Sequence, residues 1–120
     1  MILVDTSVWV DHLRANDKTL AELLVRGKVL AHPFVTCEIA LGHLRRREFV
    51  LGALGCLPQA VVASESEVLV FIERHSLSGL GIGYVDVHLL AATALTGGSR
   101  LWTRDRRLRE VAESLDLGKA

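Results

Sequence analysis

Four acidic residues stand apart in this sequence by their surroundings. Asp5 directly follows the apolar run Ile2-Leu3-Val4, Glu38 lies inside an apolar helical stretch, Asp86 opens another behind a glycine-rich segment, and Asp105 follows Leu101-Trp102-Thr103-Arg104. Singly, each has a structural account. Aspartate is a preferred N-cap residue, contributing ~1 kcal/mol, and Asp5, Asp86 and Asp105 all sit where a helix is expected to begin. Glu38 shares a helix face with Phe34, Leu41 and Gly42, and a carboxylate buried there needs a partner. Either a salt bridge to Arg45, two turns on, or a metal ion meets that need. Jointly, the four point to chemistry. Two carboxylates ~5 Å apart at an effective dielectric of ~20 repel by roughly 3 kcal/mol, so four at one crevice require protons or a cation. A hard divalent cation, Mg²⁺ or Mn²⁺, takes oxygen ligands and needs neither histidine nor thiol. Such a cluster is a phosphodiester site, in which the metal lowers the pKa of a water, orients it for in-line attack and neutralises charge on the pentacovalent centre.

The elements that must position these acids follow from hydrophobic spacing. Residues 2–4 predict a strand, and Val8, Trp9, His12 and Leu13 recur at helical spacing after the Asp5-Thr6-Ser7 turn. A helix over residues 19–25, a strand over 29–31, and a helix from Pro33 through Glu38 to Leu44 come next. Proline suits the first turn of that helix because it has no N–H to lose there. Residues 48–54 predict a further helix and residues 60–63 a third strand. Ser64-Glu65-Ser66-Glu67 is a capping box ahead of Val68, Phe71, Ile72 and His75, in which hydroxyl and carboxylate satisfy each other's backbone N–H. Gly79, Gly81 and Gly83 mark a turn, residues 86–94 a helix, and 101–103 a fourth strand; Asp105 starts a last helix carrying Leu108, Val111, Ala112 and Leu115 on one face. Short strands alternating with helices predict an α/β sandwich around a parallel sheet. Ligands then sit beyond the carboxyl ends of the strands, where strand order reverses, and Asp5 and Asp105 both lie just past a strand.

These motifs resemble those of PIN domains, and within them the VapC-type toxins of bacterial toxin–antitoxin pairs. The resemblance covers nearly the whole chain. It rests on Ile2-Leu3-Val4-Asp5-Thr6-Ser7, on Glu38 in the helix after the second strand, on Gly83-Tyr84-Val85-Asp86-Val87-His88-Leu89-Leu90-Ala91-Ala92, and on Leu101-Trp102-Thr103-Arg104-Asp105. It implies a three-layer sandwich with a central parallel sheet of four or five short strands flanked by helices. It further implies an endoribonuclease in which Asp5, Glu38, Asp86 and Asp105 hold Mg²⁺ or Mn²⁺, with Ser7 and Thr103 supporting the acids by hydrogen bonds. The implied partners are an RNA substrate, a second copy of the chain in a homodimer, and a VapB-type antitoxin that inserts an arginine among the carboxylates. Many relatives carry another acid shortly after the fourth, where this chain has Arg106-Arg107; one metal ion or two is left open.

Composition bounds the alternatives. At 120 residues, 50% hydrophobic and 23% charged, the chain is expected to fold as one domain with a buried core rather than remain disordered. Fourteen basic residues balance fourteen acidic ones, so RNA must be met by local charge: Arg45, Arg46 and Arg47, or the group Arg100, Arg104, Arg106, Arg107 and Arg109. Arg104, Arg106 and Arg107 flank Asp105 and are candidates for RNA phosphate; a solvated helix face is the competing account. The opening residues lack the basic and apolar regions of a signal peptide, and no apolar stretch is long enough to span a bilayer, which predicts a soluble, cytoplasmic protein without membrane partners. Cys37 and Cys56 form no CxxC pair and are expected to be small buried residues. Trp9 and Trp102 are expected in the core, and the five histidines in surface or helix-packing positions. Two other functions compete: a PIN-like module that binds RNA or protein without cutting, and a phosphohydrolase with Asp5 as nucleophile. The second resembles haloacid-dehalogenase-like proteins, which carry a further aspartate where this chain has Ser7.

Overall fold

The computed structural model describes residues 1–119. In chain order its elements are β1 (Ile2–Val4), α1 (Thr6–Ala15), α2 (Lys18–Val25), β2 (Val29–Leu30), α3 (Pro33–Leu41), α4 (Arg47–Cys56), α5 (Glu65–Arg74), α6 (Tyr84–Leu95), β3 (Arg100–Trp102) and α7 (Arg106–Ser114). The sheet is parallel in the order β2-β1-β3, with Ile2 opposite Val29 and Arg100, and Val4 opposite Trp102. Its strands are two or three residues long; β2 is buried throughout, whereas β3 buries Leu101 and leaves Arg100 exposed. Leu3 and Val4 are fully buried, as are Leu89, Leu90 and Ala92 of α6, Leu101 of β3 and Leu108 of α7. Val87 to Thr93, including polar His88 and Thr93, is buried without interruption, so α6 is enclosed on every face there and forms the spine of the core.

The sheet has three strands among the described residues, not four or five. The two missing rows are reduced to single parallel bridges at its edges, Ala31 with Gln59 and Leu101 with Gly118. Residues 60–63, expected as a strand, leave the sheet at once. Ala60 N–H still donates to the carbonyl of Ala31, but the next ladder bond would have to come from the amide of residue 33, and Pro33, the first residue of α3, has no N–H; Val61 N–H, on the other edge, donates to Thr96 Oγ1 at 2.9 Å. The helix expected to reach Leu44 stops at Leu41, because Gly42 takes an extended conformation and its N–H closes on Ile39. The α5 capping box forms in both halves, Glu67 N–H to Ser64 Oγ at 3.2 Å and Ser64 N–H to Glu67 Oε1 at 2.8 Å.

Both cysteines are exposed, contrary to the burial expected from their residue type. Cys37 is exposed on α3, as is neighbouring Glu38, while the helix buries Val35 and Ile39. Cys56 ends α4, which buries only Leu54. Trp9 is buried as expected, while Trp102 is partly exposed. Among the described residues, no helix is long and apolar enough to cross a membrane.

Candidate active site

With β1 between β2 and β3, strand order reverses on either side of β1, and the crevice beyond β1 and β3 is where an α/β sheet presents ligands. Asp5 lies in it, 7% exposed, its backbone N–H bonded to the Trp102 carbonyl at 2.9 Å. Although Asp5 occupies the N-cap position of α1, its side chain makes no capping bond. Its Oδ2 accepts instead from the hydroxyls of Ser7, at 2.8 Å, and Thr103, at 2.7 Å. Each hydroxyl has one proton, so with both committed to Asp5 the 3.4 Å approach between the two oxygens is a contact only. Those oxygens in turn accept the N–H of Arg104 and of Asp105, each at 3.0 Å. Two parallel relays, amide to hydroxyl to carboxylate, therefore join the loop after β3 to Asp5, and each link polarises the next.

Each remaining acid is held by one oxygen. Asp105 caps α7, its Oδ1 accepting from Leu108 N–H at 2.9 Å, and Asp86 reaches back from the first turn of α6 to accept the Gly83 N–H on Oδ2 at 2.9 Å. Glu38 is exposed on α3, and its Oε1 accepts from Thr6 Oγ at 2.6 Å rather than from Arg45. Capping thus accounts for one oxygen each of Asp86 and Asp105 and does not account for Asp5. In all four, the second carboxylate oxygen has no hydrogen-bond donor among the described residues.

Three of the acids act electrostatically on the fourth. The Asp86 carboxyl is held above the usual aspartate range. Burial is the main cause; the Gly83 N–H opposes it, and the charges of Asp5, Asp105 and Glu38 each push it further up. Among the described residues, no three histidine, cysteine, aspartate or glutamate side chains converge closely enough to enclose a metal ion as they lie. The donor set nonetheless suits a hard cation: every free oxygen is a carboxylate's, the field is uncompensated, and each acid is anchored by its other oxygen.

The three candidate arginines have different surroundings. Arg104 is ion-paired, Nη1 with Asp11 and Nη2 with Asp17 at 2.5 Å. Arg106 Nε meets Glu110 one turn on at 3.3 Å, on the exposed face of α7. Arg107 has no ion pair among the described residues and lies over the glycine loop: a Cβ on Gly81 would come within 3.1 Å of its Cζ, and Gly81 has φ of +78°. Two histidines pack inside. His32 is fully buried and accepts the Phe34 N–H on Nδ1 at 3.0 Å; His88 lies between Phe34 and Tyr84, ring centroids 4.5 and 4.6 Å away. Burial, with the nearby His88 charge, lowers the His32 pKa to about 4.

Sequence reasoning missed Thr6, which holds Glu38, and Asp11 and Asp17, which hold Arg104. Thr6 had one available signal, its place in the Asp-Thr-Ser turn. Asp11 and Asp17 look like solvated helix residues until the fold brings Arg104 to them.

Residues 2–114 match the PIN domain family. Proteins named Ribonuclease VapC32 from two strains of Mycobacterium tuberculosis, CDC 1551 / Oshkosh and ATCC 25618 / H37Rv, are each 51% identical over 115 residues, covering 95% of this chain and 93% of theirs. Identity at that level over nearly the full length of both chains preserves element order as well as fold. The chain belongs to the PIN domain family and, within it, to the VapC type.

Proposed function

We propose that this chain is the toxin of a type II toxin–antitoxin pair, an endoribonuclease that hydrolyses RNA phosphodiester bonds with Mg²⁺ or Mn²⁺. The observation that carries this is the Asp86 carboxyl, raised by burial and by the charges of Asp5, Asp105 and Glu38 together. Three carboxylates that make ionisation of a fourth costlier form a site that a cation would stabilise. Full-length likeness to proteins named ribonucleases supplies the reaction class.

In this site Asp5, Asp86, Asp105 and Glu38 would hold the metal through their free oxygens. A bound cation supplies charge neutralisation at phosphate and lowers the pKa of water. The chain's own residues aim the ligands. Ser7 and Thr103 fix the Asp5 carboxylate, Thr6 fixes Glu38, and the Gly83 and Leu108 amides fix Asp86 and Asp105. Arg107 and Arg106, on the first turn of α7 beside Asp105, would meet the RNA backbone. A VapB-type antitoxin would silence the site by placing an arginine among the carboxylates, where guanidinium pairs well. The working form would be a homodimer in the cytoplasm.

Mapping new RNA ends after brief induction in a bacterial host tests this. Discrete ends with wild type and none with Asp5→Asn are expected; ends of equal abundance from both proteins would overturn it. The spread of the donors, no three of which converge, favours one other function, a module that binds RNA or protein without cutting. That function predicts an identical cellular effect from wild type and Asp5→Asn.

A further inference from the structure

The loop after β3 is tied down on two sides. Toward the site, Thr103 Oγ donates to Asp5 and Asp105 caps α7. Away from it, the Arg104 guanidinium reaches α1 at Asp11 and the start of α2 at Asp17. Asp17 is itself fixed, as the N-cap of α2, its Oδ1 accepting Leu20 N–H at 2.9 Å while Oδ2 takes Arg104. Between these two sides lies the Arg104 backbone N–H, which starts one of the two relays to Asp5 through Ser7 Oγ.

Charge argues against a phosphate role for Arg104. One guanidinium between two carboxylates leaves the group with a net negative charge, so RNA phosphate approaching it is repelled. Geometry agrees, since the fork of donors at Nη1 and Nη2 is already divided between two acceptors. Exposed ion pairs contribute little to global stability, and here side-chain exposures are 36% for Arg104, 49% for Asp11 and 20% for Asp17. What the pairs supply is a fixed place for the loop relative to two helices.

We propose that Arg104 is a positioning residue: clamped by Asp11 and Asp17, it holds the β3–α7 loop so that the relays through Ser7 and Thr103 aim Asp5 and set Asp105 at the head of α7. This rests on the metal-site function proposed above. The test therefore pairs a metal-independent measurement with a metal-dependent one.

Amide hydrogen exchange in metal-free protein reads the loop directly, and calorimetric titration with Mn²⁺ alone reads the site. In Arg104→Ala the Asp105 amide is expected to exchange about fivefold faster while the amides of Leu89 and Leu90 in α6 keep their rates, and Mn²⁺ affinity falls by about fivefold. The combined variant Asp11→Asn, Asp17→Asn should reproduce both effects, asparagine keeping the α2 cap, and Arg104→Lys should restore part of each. An unchanged Asp105 amide in Arg104→Ala and in the double variant overturns the proposal, whatever Mn²⁺ does. Accelerated exchange in a protein whose wild type binds no Mn²⁺ supports the positioning role and overturns the metal-site function instead. Tighter binding of a single-stranded oligouridylate by the double variant, with unchanged exchange, returns Arg104 to RNA contact and likewise overturns the proposal.

Discussion

The Thr103 hydroxyl donates to Oδ2 of Asp5 across 2.7 Å, joining residues 98 positions apart at the ends of two adjacent parallel strands. Because Asp105 N–H donates into the same hydroxyl, the conformation of one carboxylate is coupled to the backbone that presents another. The fold makes this possible by pairing Val4 with Trp102 and ending both strands at the same level.

Thr103→Val keeps the shape of the side chain and removes the donor. A hydrogen bond to a charged group contributes about 1.5 to 3 kcal/mol, and Thr103 is buried, so urea unfolding should show a loss in that range. RNA cleavage should fall by about tenfold or more as Asp5 loses its orientation. Stability and cleavage both equal to wild type would show that Ser7 alone suffices to orient Asp5.

Asp86→Asn should have opposite effects without and with metal. A carboxyl raised in the folded protein destabilises the fold above its folded pKa, and that penalty disappears as pH falls and the group protonates. Removing the charge should therefore raise the thermal midpoint of metal-free protein at pH 7. Mn²⁺ should stabilise wild type, by about 2.7 kcal/mol at a hundredfold excess over Kd, and leave the variant nearly unmoved. A variant that gains as much from Mn²⁺ as wild type would exclude Asp86 from the metal site.

Acid should destabilise this protein through His32. Its folded pKa is lowered to about 4 from an ordinary 6.5, so between those values the unfolded chain binds a proton that the folded chain refuses. The two states bind equally above pH 6.5, and stability is lost as pH falls toward 4, by about 3 kcal/mol in all. His88, also lowered by burial, adds in the same direction. Denaturant unfolding of wild type and His32→Asn at pH 7 and pH 4 checks this: asparagine can keep the bond to Phe34 N–H while removing the titration, so the variant should lose less. Equal losses would assign the acid sensitivity elsewhere.

Removing Arg106 and Arg107 together should weaken RNA binding and flatten its dependence on salt, because fewer counterions are released. Gly81→Ala should act on Arg107 alone. It costs about 1 to 2 kcal/mol for a side chain at positive φ and forces the guanidinium off the loop. The backbone strain should remain when Arg107→Ala is added, while the cost of displacing the guanidinium should vanish, a coupling that a double-mutant cycle measures. Additive effects would mean that Arg107 moves aside freely.

Much of the architecture was legible in the sequence because it is set locally. Apolar periodicity, Pro33 at a helix start, the Ser64–Glu67 box and Asp105 ahead of α7 each express a preference complete within a few residues, and the expected elements other than the strand over residues 60–63 formed close to their places. The same local chemistry singled out Asp5, Glu38, Asp86 and Asp105 as acids in unusual settings. Tertiary structure decided the rest. Residues 60–63 are apolar enough for a strand, but the next ladder bond from the β2 side would need the N–H of residue 33, and Pro33, which starts α3, has none. Cys37 and Cys56 have a residue type that favours burial, yet exposure depends on what packs against α3 and α4. Glu38 could have met Arg45 nearby and meets Thr6 instead, and Arg104 finds Asp11 and Asp17 across 93 and 87 positions. Contacts of that range depend on where every intervening element lands, so helix and strand preferences carry no record of them; the free energy that selects them exists only once the core around α6 has closed.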